Sequence, residues 1–264
     1  RLNAGRFILA GGALGSARLL LASQDGGLAN SSGLVGRNLM FHLNEMFALW
    51  PKGRIEGNAT SKEISLRDLY HQRGDRFGTV QSMGIGAGYG EILHYLRLMI
   101  ARSRVSRVPF ITDIARLPAA IAVKMLGNAK VFVGLLEDFG YPENRVFHDP
   151  EHPDALCIEY SLAPELKARR KAYRKAIKRA FRGHRKLFLS LQPELNFGHP
   201  CGTLRFGNDP ATSVLDVNCK AHDLSNLWVV DSSFMPSSFG VNPSLTIAAN
   251  ALRVGHHLLE EARI

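Results

Sequence analysis

The chain switches between short apolar runs that stop at glycine and longer stretches whose apolar residues recur at helical spacing. It opens with the first kind. Gly5-Arg6-Phe7-Ile8-Leu9-Ala10 predicts a strand that ends at Gly11-Gly12, and residues 13–22 predict the helix after it. Strand, glycine turn and helix in that order are a piece of a βα unit. Clusters at 26–27 and 30–33 mark a loop before Val35-Gly36-Arg37-Asn38-Leu39-Met40. Beyond Pro51 the pattern loosens: 53–75 is polar, and 84–90 (G-I-G-A-G-Y-G) is dense in glycine. Helices are expected over 91–102 and 111–126, the second interrupted by Pro118. Residues 130–136 and 155–160 read as antiparallel strands, with a short strand at 144–147 between them. An amphipathic helix follows, and from His199 the chain is dense again: a motif loop, a buried strand at 227–230, a second loop, and a helix over about 245–261.

Elements of βα type at both ends, around a mixed insert, predict a discontinuous domain made of 1–45 and 199–264, enclosing a second domain at 46–198. The expected class is mixed α/β.

At 264 residues with 45% hydrophobic and 21% charged residues, the chain can bury a sizeable core. It has no run of about 18 apolar residues, so no membrane-spanning helix is expected. Cys157, Cys201 and Cys219 are odd in number and lack metal-ligand spacing, which argues against a disulfide framework. The net charge of +10 is uneven, because eleven Lys or Arg side chains fall within 167–186. Tyr173, Ile177, Phe181 and Phe188 recur there near helical spacing, so a helix with a solvated basic outer face is expected. A nucleic-acid or anionic-surface binder is the alternative reading of that helix, and no nucleic-acid motif accompanies it. A strand entering at residue 6 with no neighbour, in a chain starting at Arg1, suggests further sequence upstream, so localisation stays open.

The candidate chemistry lies in the last third. H-P-C-G-T at 199–203 and G-V-N-P-S-L-T at 240–246 flank N-L-W-V-V-D-S-S-F-M-P at 226–236, a buried strand running into a polar turn. The imidazole of His199 and the carboxamide of Asn242 would meet where a strand end and a helix start converge. Such a pair can take a proton from an alcohol and orient the oxyanion. Ile247, Ala248, Ala251, Leu252, Gly255, Leu258 and Leu259 give the final helix an apolar face. Pro243 precedes it, and Ser244 or Thr246 is available to cap free N–H groups. The glycine run at 84–90 lacks the strand and spacing of a phosphate loop and reads as a mobile loop. His42, His256 and His257 read as structural, Cys201 as packing, and His148 with His152 as part of a polar turn.

The segments 10–20, 35–40, 199–207, 231–236 and 242–246 together resemble, in order and spacing, the C-terminal half of the glucose–methanol–choline (GMC) flavoprotein oxidoreductases. The resemblance covers 1 to about 40 and 130–264. It implies an FAD-dependent oxidoreductase acting on CH–OH donors such as a sugar, a polyol or another alcohol, with hydride transfer to the flavin. It also implies that the two domains are the remainder of a Rossmann-like FAD-binding domain and an antiparallel-sheet substrate domain. His199 matches the family's catalytic histidine and Asn242 its Asn-or-His partner. Asp231 and Ser232 match positions beside the ribityl–pyrophosphate, Pro243 and Ser244 backbone contacts to the flavin, and Ala10 and Gly11 a turn near the phosphates and adenosine. The family's G-x-G-x-x-G with its acidic ribose partner is missing. A fragment is therefore expected, inactive alone and needing an N-terminal FAD-binding half from the same gene or a separate subunit. The alternative within the fold is a catalytically silent remnant or interaction subunit.

Overall fold

The computed structural model describes residues 3–53, 62–72, 74–86, 88–101, 111–190 and 192–261. The chain begins with β1 (Phe7–Leu9) and α1 (Gly12–Ser23), then crosses into a long strand, β2 (Met40–Leu49). Two-residue strands β3 (Ser65–Leu66), β4 (His71–Gln72) and β5 (Asp75–Arg76) precede β6 (Val80–Gly86). Three helices come next: α2 (Tyr89–Ala101), α3 (Ile111–Ile114) and α4 (Arg116–Leu126). After β7 (Lys130–Leu136), β8 (Arg145–Phe147) and β9 (Cys157–Glu159) comes the basic helix α5 (Pro164–Ala180). The last elements are β10 (Lys186–Phe188), β11 (Glu194–Cys201), β12 (Leu227–Val229) and α6 (Ser244–Glu261).

β1 and β12 pair in parallel, Phe7 opposite Leu227, although 220 residues separate them. The main sheet is antiparallel, ordered β10-β2-β7-β6-β3, with β11 also paired to β2. The fold is thus mixed α/β, as the sequence predicts. One core collects α1, the β1–β12 pair and the inner side of α6 around Leu39, Phe41, Leu204, Trp228 and Val254. The other lies between the main sheet and α5, where Leu43, Phe47, Phe132 and Leu136 meet Leu166, Tyr173 and Ile177.

Five expectations change. The motif loop expected from His199 begins as the end of β11. β2, which the pattern did not reveal, is the central strand. The glycine run at 84–90 is no mobile loop: Gly84 to Gly86 end β6, and Tyr89-Gly90 open α2. The break expected at Pro118 falls earlier, around Ala115; Pro118 lies in the first turn of α4, where a missing N–H costs little. Arg102, the expected end of α2, is outside the described residues. Lastly, the cations of α5 do not all form an outer face. Arg170 and Arg174 both reach the fully buried carboxylate of Glu45, Arg170 at 2.6 Å. Arg169, 6% exposed, donates to the carbonyls of Arg76 and Glu137. These arginines fasten α5 to the sheet.

Candidate active site

His199 lies on β11 near its bulge on β2, where register shifts between Asn196 and Cys201. Its Nδ1 is 2.9 Å from Nδ1 of His42, a buried residue of β2. His42 Nε2 in turn lies 2.7 Å from the carbonyl oxygen of Ser238. A carbonyl only accepts, so Nε2 of His42 carries the proton, and the network assigns the rest. Burial first, and His199 second, push His42 down to about 4, so near neutrality its ring is uncharged and its Nδ1 is bare. His199 Nδ1 then donates to it, and His199 Nε2 is left as a free base. The Asn196 amide contacts the same Nδ1 at 3.2 Å, while its Oδ1 accepts from Gly198 N–H at 3.1 Å. The shorter contact, to His42, defines the proton. Burial, followed by the Lys62 ammonium, holds His199 below the ordinary imidazole range.

Asn242 is reached along the loop that begins at Ser238. Gly240 crosses Gly78 so closely that a Cβ on either would collide with backbone, and its carbonyl accepts from both N–H and hydroxyl of Thr79, at 2.8 Å each. Two residues later Asn242 Nδ2 donates to Gln81 Oε1 at 2.8 Å, and its second amide hydrogen has no partner among the described residues. Beneath the loop, Ser237 donates to buried Glu137 at 2.6 Å, and Asp138 exchanges two hydrogen bonds with Ser238. Cross-strand pairs Asn196↔His42, Met46↔Val133 and Gln81↔Val133 put His42 and Gln81 on one face of the main sheet. The partners of His199 and Asn242 therefore share a face.

The turn at 231–234 ties the motif regions together. Ser232 Oγ donates to the Pro200 carbonyl at 2.8 Å, and Leu204 N–H donates to Ser233 O at 3.0 Å. Asp231 accepts from Gly12 N–H at 2.9 Å and Ser16 Oγ on one oxygen, and from Ser233 N–H at 2.8 Å and Ser233 Oγ on the other. Four donors fill a carboxylate's acceptor sites. Asp231 thus staples α1 to this turn, and its side chain has no acceptor left for a ligand. Ala10 and Gly11 are exposed at the start of α1, where Gly12 has φ +74 and open space beside its Cα. Pro243 is buried and Ser244 exposed at the start of α6. Neither helix has an acidic residue in its first turn. The start of α1 is already met by the Asp231 carboxylate at Gly12 N–H, which leaves the start of α6 as the positive end that suits an anionic part of a ligand.

The other candidates fall into place locally. Cys201 is buried, with its thiol pushed up by burial and then by Asp138 and Glu137, so it packs rather than reacts. All three cysteines are free thiols. His152 pairs with Asp149 at 2.9 Å on an exposed turn. Sequence reasoning read His42 as structural and did not reveal its contact with His199. Nothing local marked it, because its partner lies 157 residues away.

The chain is similar to known proteins. Residues 148–251 match the family model described as GMC oxidoreductase. A paromamine 6'-oxidase of Streptomyces fradiae is 30% identical over 96% of this chain, which covers 45% of that protein. A 2-methyl-1,2-propanediol dehydrogenase of Mycolicibacterium austroafricanum is 28% identical over 97% of this chain and 48% of its own length. The chain thus spans about half the length of the curated relatives it matches. Its fold is shared with pyridoxine 4-oxidase from Mesorbium loti, at a TM-score of 0.57 and 22% identity over 96% of this chain and 51% of that one. No described helix is long and apolar enough to cross a membrane.

Proposed function

Because this chain corresponds to the C-terminal half of the GMC oxidoreductases, we propose that it is the substrate-holding part of an FAD-dependent oxidoreductase of CH–OH donors. The observation that carries the reading is the His42–His199 contact, which leaves His199 Nε2 bare and uncharged. In this reading Nε2 takes the hydroxyl proton of the alcohol. The second amide hydrogen of Asn242 bonds the oxygen as negative charge develops on it. FAD, when bound, supplies the hydride acceptor. Ala10 and Gly11 would hold its phosphates, the backbone around Asp231 and Ser232 its ribityl chain, and Pro243 and Ser244 its ring. The relatives' names, an oxidase of paromamine and a dehydrogenase of a diol, fit a small-molecule alcohol or sugar as substrate.

Residues 1–45 with 199–264 are then the remainder of the FAD-binding domain, and 46–198 form the substrate domain. The rest of the FAD-binding domain packs where apolar side chains are bare: Ile8 on β1, and Leu245, Leu252 and Leu259, one stripe of α6, are between 54% and 82% exposed. Anaerobic mixing of the complete flavoprotein with alcohols and sugars tests the reading. Bleaching of the flavin is expected, and no bleaching with any alcohol or sugar would refute it.

A further inference from the structure

One face of the main sheet changes character along its strands. Alternation puts His42, Asn44, Met46, Ala48 and Trp50 of β2 and the residue after it on one side. Register adds Gln81, Val131, Val133, Leu135, Leu187, Glu194 and Asn196 to that side. The first end of β2 is polar there, with His42 and Asn196 at the proposed base and Asn44 opposite Glu194, while Leu135 is the apolar neighbour; Gln81, beneath Asn242, lies level with Met46 on the far side of β7. The Asn44 Oδ1 is buried and has no hydrogen-bond partner among the described residues.

From Met46 to Trp50 along β2, with Val131 and Val133 of β7 and Leu187 of β10 beside them, the face is apolar. α2 and α4 roof it, with Ile92 and Leu126 packed on Ala48. Between roof and sheet lies a cavity of about 620 Å³ walled by Met46, Trp50, Tyr95, Met99, Val131 and Leu189. That size takes a molecule of some tens of atoms. Glu91, His94, Tyr95 and Arg185 are the ionisable groups on its lining, and Arg185 is laid over the Trp50 ring at 4.2 Å. The surface the walls present is nearly all apolar, so a sugar ring placed there would find few partners for its hydroxyls. A hydrocarbon loses nothing and gains burial. Met46 lies four residues from His42, about 13 Å along an extended strand.

We propose that the alcohol oxidised here carries an apolar body, a medium-chain alkyl or arylalkyl group. Its hydroxyl lies at His199 and its hydrocarbon runs beneath α2 and α4. This rests on the reading of the site as one of alcohol oxidation.

Two measurements on the complete flavoprotein test it. In a series of primary alcohols from ethanol to decanol, kcat/KM should rise about fourfold per methylene until the cavity is filled, and glucose and xylitol should be poor substrates. In addition, 10-bromodecan-1-ol should quench tryptophan emission saturably. Of the two tryptophans in this sequence, Trp50 walls the cavity and Trp228 is buried in the other core, so the part of the quench that saturates should be lost in Trp50→Phe. Flat chain-length dependence, sugars preferred to decanol, or a saturable quench that survives Trp50→Phe would each overturn the apolar substrate while leaving alcohol oxidation standing. A Trp50-dependent quench with no flavin reduction by any alcohol or sugar would instead overturn the oxidation reading and keep the cavity's preference.

Discussion

The Nδ1 atoms of His42 and His199 lie 2.9 Å apart, with the rings crossed edge to face and their centroids 5.0 Å apart. One proton can lie between them, and Ser238 decides which ring owns it. By accepting from His42 Nε2, its carbonyl turns His42 into an acceptor and His199 into a donor at Nδ1. The lone pair of His199 is thereby fixed on Nε2, away from the sheet. If His199 is the base, His42 is a positioning residue that sets its tautomer.

If His199 is the base, its neutral form is needed, and burial together with Lys62 keeps that form populated below the ordinary imidazole range. The acid limb of kcat/KM should therefore fall below about pH 6.5. Lys62→Gln should move the limb upward, since it removes a cation that disfavours protonation. A limb that does not respond to Lys62→Gln would assign it to another group.

Replacing His42 tests the tautomer directly. Gln at this position can accept from His199 with its oxygen and donate to Ser238 with its nitrogen, whereas Phe can do neither. His42→Phe should lower kcat by about 10- to 100-fold with FAD still bound, and His42→Gln should recover most of the loss. Equal activity in the two variants would reduce His42 to packing.

The two direct contacts should differ in size. His199→Ala removes the proton acceptor and should lower turnover by about two to four orders of magnitude while the flavin spectrum persists. Asn242→Ala removes one hydrogen bond to the developing oxyanion and should cost less. An equal or greater loss at Asn242 would exchange the assigned roles.

What was legible in the sequence follows from where each element finds its partners. β7, β12 and α6 are apolar runs bounded by turn residues, and their positions follow from the sequence to within a few residues. β2 did not, because both its faces are covered and two of its polar residues find their partners from afar: Glu45 by Arg170 and Arg174, His42 by His199 and Ser238. Met-Phe-His-Leu-Asn-Glu-Met-Phe-Ala-Leu therefore shows neither period two nor a plain apolar run. The inward turn of the α5 arginines was hidden for the same reason, since helical spacing cannot reveal an acid on a distant strand. His199 and Asn242 were readable because each lies in a compact motif, and the order of motifs carried the resemblance. β11 was mistaken for a loop because Gly198 and Pro200 interrupt it at the bulge.

The last prediction concerns stability. His42 titrates near 6.5 in an unfolded chain and is pushed down to about 4 in the fold, chiefly by burial. Its depressed value makes its contribution complete above about pH 6.5 and lost as pH falls to about 4, a change of about 3 kcal/mol. Asp138 moves the other way, from 3.8 up to about 6, again chiefly through burial and against hydrogen bonds from Tyr160 and Phe41. Its contribution is present below about 3.8 and is lost as pH rises through about 6, again by about 3 kcal/mol. The two slopes oppose each other across one window, so from these groups alone stability should vary little between about pH 4 and 6.5. His42→Gln should uncover the Asp138 slope, with stability falling as pH rises. Asp138→Asn should uncover the opposite slope. Urea unfolding of the complete protein at the two ends of the window measures both, and slopes of the same sign in the two variants would contradict this pairing.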